Sequence, residues 1–98
     1  MAPRNFKLAV ETSTSIRASW LAPAKFNGIF KRYVVMYGKA TDKLDGRVYT
    51  TSTAYLLYPL QEFTDYFVEV YAETSVSGAS SAIERAKTLE DGKMLSFI

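Results

Sequence analysis

The chain has no cysteine. Neither a disulfide framework nor a thiolate metal site is open to it, and its fold must rest on packing alone. That lack does not decide a compartment. Histidine is absent too, which removes the commonest general base and the commonest metal ligand. The five glycines are scattered singly, so no glycine-rich loop is available to cradle a phosphate. No apolar run approaches the roughly 20 residues that span a bilayer. The opening MAPRNFKLAV is too short and too mixed to serve as a secretory leader. If the parent protein is secreted or anchored, signals of that kind lie outside this segment, which then reads as a module of a longer chain.

What is present bounds the answer further. With 98 residues, 48% of them apolar, the chain suits one domain with a single modest core. The net charge is +2, but unevenly spread. Residues 1–47 carry nine Lys/Arg against Glu11, Asp42 and Asp45, whereas residues 48–98 carry three against seven acids. The basic residues are dispersed, as expected of solvated strand edges on which lysine blocks unwanted pairing. The competing reading is an anionic partner such as a sulfated glycan.

Period-two alternation recurs along the chain and turn signals separate the segments. NFKLAVE places Phe6, Leu8 and Val10 on one face. SIRASWLAP does the same with Ile16, Ala18 and Trp20, and Pro23 ends it. Asn27-Gly28 marks a turn. YVVMYG sets Tyr33, Val35 and Tyr37 on one face and Val34 and Met36 on the other. TDKLDG is a hairpin link, RVYTT a short strand of undetermined facing, and TAYLLYPL a strand closed by Pro59. FTDYFVEVYAE alternates Tyr66, Val68, Val70 and Ala72 with Phe67, Glu69, Tyr71 and Glu73. After the small-residue loop TSVSGAS comes AIERAKT. Its Ser81-x-x-Glu84 spacing and composition favour a helix, whereas its place after a run of strands predicts a closing strand. Seven short strands at this spacing predict an all-β, antiparallel β-sandwich.

Several of these residues fall in an order that resembles the fibronectin type III family over residues 3–88. They are Pro3, Trp20, Tyr33-x-Val35-x-Tyr37, Leu60-x-x-x-Thr64-x-Tyr66-x-Val68-x-Val70-x-Ala72, Gly78, the pair Ser80-Ser81 and Thr88. The resemblance implies an immunoglobulin-like sandwich of seven strands over residues 1–89, with 90–98 a tail or linker. It further implies a tyrosine corner in which the buried Tyr66 ring sends its hydroxyl back to upstream backbone. Two positions depart from the family pattern: Glu62 stands where proline is usual, and Thr74 where asparagine is. The expected core comprises Trp20, Tyr33, Val35, Leu60, Tyr66, Val68 and Val70.

No catalytic constellation is visible. TSVSGAS lacks the glycine before serine of a nucleophile elbow, and no Ser-x-x-Lys occurs. The acid pairs Asp42/Asp45 and Glu90-Asp91 fall in a turn and the tail, and the former alone makes a poor calcium site. Aromatics accompany Glu69 and Glu73 rather than basic residues, which argues against nucleic acid. No cofactor, metal or membrane insertion is implied. Asp45-Gly46-Arg47 reverses the integrin tripeptide, and neither Asn5 nor Asn27 lies in a glycosylation acceptor.

Function is hinted at only by the outward residues. In the family the third and sixth strands are neighbours, so Val34, Met36, Phe67 and Tyr71 should form one exposed apolar patch. Ordinary cross-strand pairing explains such a patch without a partner, and a protein or neighbouring-domain contact is the sharper reading. The resemblance implies a non-catalytic structural and interaction module of a multidomain receptor or adhesion protein, extracellular or at the cell surface. A module of an intracellular muscle filament protein and an accessory domain of a secreted polysaccharide-degrading enzyme remain as alternatives.

Overall fold

The computed structural model describes residues 1–41 and 43–90. The tail expected at 90–98 lies outside them except for Glu90, as does Asp42. The described residues form seven strands and no helix: β1 (Arg4–Thr12), β2 (Ser15–Leu21), β3 (Phe30–Lys39), β4 (Gly46–Thr50), β5 (Ala54–Leu57), β6 (Asp65–Thr74) and β7 (Ser81–Lys87). They make a three-stranded sheet, β1-β2-β5, and a four-stranded sheet, β4-β3-β6-β7. Every pairing is antiparallel. The expected sandwich is present.

β6 shows why the sequence folds this way. Its burial alternates without a break from Asp65 to Thr74, so one face must be sealed against the other sheet. Register with β3 pairs Tyr33 with Ala72, Val35 with Val70 and Tyr37 with Val68, which stacks the inward residues of both strands. From the facing sheet, β2 contributes Ile16, Ala18 and Trp20, and Leu57 follows from β5. The central ring is that of Trp20. It meets Phe6 edge-on at 6.3 Å and Tyr33 at 5.3 Å, the arrangement that the ring quadrupoles favour. Among the described residues its buried Nε1 has no hydrogen-bond partner, so ring packing rather than polar anchoring sets its place. Truncating such a side chain costs about 3–5 kcal/mol, a large share of the roughly 5–15 kcal/mol that holds a domain together.

AIERAKT is a strand despite its helical composition. Ala82 and Ala86 pair with Val70 and Tyr66 and pack against the core, while Ile83 and Arg85 turn outward. The antiparallel ladder with β6 from Asp65↔Lys87 to Tyr71↔Ser81 fixes the segment as a strand, and tertiary pairing overrides propensity. β1 opens with a bulge between Arg4 and Lys7. Asn5 takes φ 51° there, a left-handed conformation that asparagine tolerates better than most residues.

The loop between β5 and β6 is tied down by two buried groups. The Gln61 N–H donates to Tyr66 Oη at 2.8 Å, which closes the tyrosine corner with the hydroxyl as acceptor. Thr88, 2% exposed, accepts from the Thr64 N–H at 2.9 Å and donates to the Gln61 carbonyl at 2.7 Å. One threonine hydroxyl thus binds the loop to the end of β7. Tyr66→Phe leaves the Gln61 N–H without this acceptor and is expected to cost about 1–2 kcal/mol, read as a lower urea midpoint at unchanged slope. Burial also raises the Tyr33 hydroxyl above its ordinary value of 10.0. The unfolded chain then ionises first, so stability present below about pH 10 should fall as the pH rises through the native value. Ultraviolet titration against stability at alkaline pH checks this.

Candidate functional site

The outward face of the four-stranded sheet is built by register. Across β3 and β6, Val34 lies opposite Tyr71, Met36 opposite Glu69 and Gly38 opposite Phe67. β4 places Tyr49 beside Val34 and Arg47 beside Met36. β7 places Ile83 beside Glu69 and Arg85 beside Phe67. The four residues singled out in the sequence therefore share one face, but they do not form an exposed patch. Val34 is fully buried and yet belongs to no part of the inter-sheet core, because it lies between the Tyr49 and Tyr71 strands and its neighbours close over it. The expectation that Val34 is exposed is corrected accordingly. Met36, Phe67 and Tyr71 are half-buried. The apolar residues that do reach solvent here are Tyr49 at 47% and Ile83 at 53%. Sequence reasoning missed both, since one lay in a strand of undetermined facing and the other in a segment that also reads as helix.

Arginines cover much of this face. The Arg32 guanidinium lies 4.0 Å from the Tyr49 ring centre, and that of Arg85 lies 5.5 Å from Phe67. Arg47 reaches the Met36 sulfur at 3.9 Å. The same cations pair with acids of β6, Arg32 with Glu73 at 3.3 Å and Arg85 with Asp65 at 3.2 Å, and the Ser81 hydroxyl donates to Glu69. Solvent screening keeps exposed pairs of this kind at roughly 0–1 kcal/mol each. Their effect is spatial: they hold flat guanidinium groups over apolar side chains and leave a mixed surface of arginine, tyrosine and isoleucine.

Among the described residues no group of three or more His, Cys, Asp or Glu is placed to hold a metal ion. The Asp65 carboxylate is engaged with Arg85. Four shallow clefts among the described residues hold about 240–340 Å³, near the lower end of the roughly 300–1,000 Å³ usual for small-molecule sites.

A second surface lies at the end of the sandwich where β1 begins. The loops 22–29 and 75–80 are locked together there. The Ile29 N–H donates to Ser75 Oγ at 2.9 Å, and the Ser75 N–H donates to the Ile29 carbonyl at 2.9 Å. A buried Thr74 hydroxyl accepts the Val76 N–H at 3.1 Å, so the threonine that replaces the family's usual asparagine still organises the turn. The loops approach so closely at Gly28 that a Cβ would stand 2.8 Å from Ser75 Oγ and 2.9 Å from Thr74 Oγ1. Phe26 stacks on Phe30 at 5.1 Å, and Phe30 on Tyr33 at 4.9 Å. The aromatic series that passes through Trp20 thus ends at this surface.

With this geometry in hand, comparison with known proteins is direct. The family model for the fibronectin type III domain matches residues 1–86. The chain is 32% identical over 91 residues to the human phosphatidylinositol phosphatase PTPRQ, covering 92% of this chain and 4% of that protein. It is 34% identical over 97 residues to receptor-type tyrosine-protein phosphatase F of Danio rerio, covering 91% of this chain and 5% of that protein. The chain therefore spans only a small fraction of the curated relatives it matches. Among solved structures, the FN1–FN3 domains of chicken CNTN1 superpose with a TM-score of 0.80 at 23% identity, over 92% of this chain and 32% of that one. The chain belongs to the fibronectin type III domain family.

Proposed function

We propose that this chain is a non-catalytic structural and protein-interaction module of a larger multidomain receptor at the cell surface. The observation that carries this reading is its likeness, over nearly its whole length, to a small segment of two phosphatases, one of them named as receptor-type. The match to one part of the chicken CNTN1 FN1–FN3 structure suits a module that repeats along a chain. The mechanism is mechanical and adhesive. A cysteine-free sandwich fixes the spacing between its ends, and its faces supply contact area.

For the lateral contact we propose the outward face of β4-β3-β6-β7, with Met36, Phe67 and Tyr71 framed by the exposed Tyr49 and Ile83. Val34 supports this face from beneath and touches no partner. Arginine and tyrosine side by side are the residue types enriched in protein interfaces. The mixture of Arg32, Arg47 and Arg85 with Glu69, Glu73 and Asp65 argues against a uniformly anionic ligand such as a sulfated glycan.

Two measurements test these statements. An antibody raised against the folded chain is expected to stain unpermeabilised cells that express the parent protein, and staining only after permeabilisation contradicts the cell-surface assignment. For the lateral contact, Ile83→Ser is expected to change stability by less than about 0.5 kcal/mol while weakening binding of the parent ectodomain to cells. Val34→Ala should do the reverse and cost about 1–3 kcal/mol by urea unfolding. Binding unaffected by Ile83→Ser removes this face from the proposal.

A further inference from the structure

We propose that the end of the sandwich formed by loops 22–29 and 75–80 is the seat of the module that precedes this one in its parent chain, resting on the multidomain reading above. Exposed apolar side chains concentrate there: Ile29 is 77% exposed, Val76 47% and Phe26 40%. Lys25 is the one charged residue in the two loops. Depletion of charge around apolar side chains marks the centre of a protein contact rather than a glycan or nucleic-acid surface. The loops are also tied to each other and to the core. Reciprocal hydrogen bonds between Ile29 and Ser75 hold them, Gly28 permits their close approach, and Phe26 is stacked on Phe30. A docking partner need not order them, so little of the contact is lost to entropy.

The chain's own geometry selects the occupant. β1 starts at this end, where Arg4 pairs with Leu21 and its Nε donates to the Ala22 carbonyl at 2.9 Å. Pro3 is buried beside them. Whatever runs into β1 in a longer chain therefore crosses this surface. Size points the same way. The three exposed apolar side chains of these loops, even with Leu21 (47% exposed) beside them, are too few for the roughly 800 Å² per partner of a stable free complex. A neighbour on a short linker is present at an effective concentration of the order of millimolar, so a contact of about millimolar strength suffices.

Hydroxyl-radical footprinting of the whole parent ectodomain, set against the 98-residue chain, tests this. Phe26, Ile29 and Val76 are expected to be modified at least about threefold more slowly in the ectodomain, with Tyr58 and Phe63 at the opposite end as reference positions. Deleting the preceding module, or substituting Ile29→Ser and Val76→Ser together, should restore the Phe26 rate to that of the isolated chain. Equal rates in ectodomain and isolated chain overturn the proposal while leaving the multidomain reading intact. So does protection that survives deletion of the preceding module, which would assign the surface to a separate partner, and so does concentration-dependent protection of the isolated chain, which would assign it to a second copy. A parent with no folded module before β1 overturns the proposal as well, and the multidomain reading itself fails only if no folded module follows either.

Discussion

The indole of Trp20, sealed between two sheets, is the constraint from which the rest of the structure follows. Once it points inward, period two forces Ile16 and Ala18 inward with it. Its edge-on contact with Tyr33 then sets the phase of β3, and register carries that phase to β6 through Val35 and Val70 and on to β7 through Ala82. A one-residue slip in any of these pairings would exchange the interior for the surface. With no disulfide to correct such an error, the ring packing and the alternation hold the register between them.

The same series of aromatic rings joins the interior to a surface. Phe6, Trp20, Tyr33, Phe30 and Phe26 follow one another at 4.9–6.3 Å, and the last of them is partly in solvent. A loop residue anchored in this way cannot wander as an isolated loop phenylalanine would. The buried hydroxyls of Thr74 and Thr88 play matching parts at the two ends of the sandwich, each fixing a loop by bonds to backbone. Each end of the sandwich thus has a loop tied to neighbouring backbone through one buried hydroxyl.

Much of the fold was legible because alternation is a local signal. β6 reads as a strand with one buried face from its letters alone, and the spacing from Leu60 to Tyr66 announces the corner that closes on the Gln61 N–H. Val34 shows where that reading ends. Its phase is outward, but its burial depends on tyrosines of two other strands, one fifteen and the other thirty-seven residues away. β7 marks a second limit, since its composition favours a helix and only the register of Ala82 and Ala86 against β6 decides otherwise. The locking of loop 22–29 to loop 75–80 likewise joins residues forty-six apart through a serine side chain and three backbone groups, which no short-range pattern reveals.

The central claim, that a buried indole fixes the phase of both sheets, is most directly tested by quenching of the chain's single tryptophan with iodide and acrylamide, native against urea-unfolded. The account requires blue-shifted native emission that iodide barely quenches, with strong quenching appearing only in the unfolding transition. Native emission quenched as readily as that of the unfolded chain would place the ring in water and contradict the account.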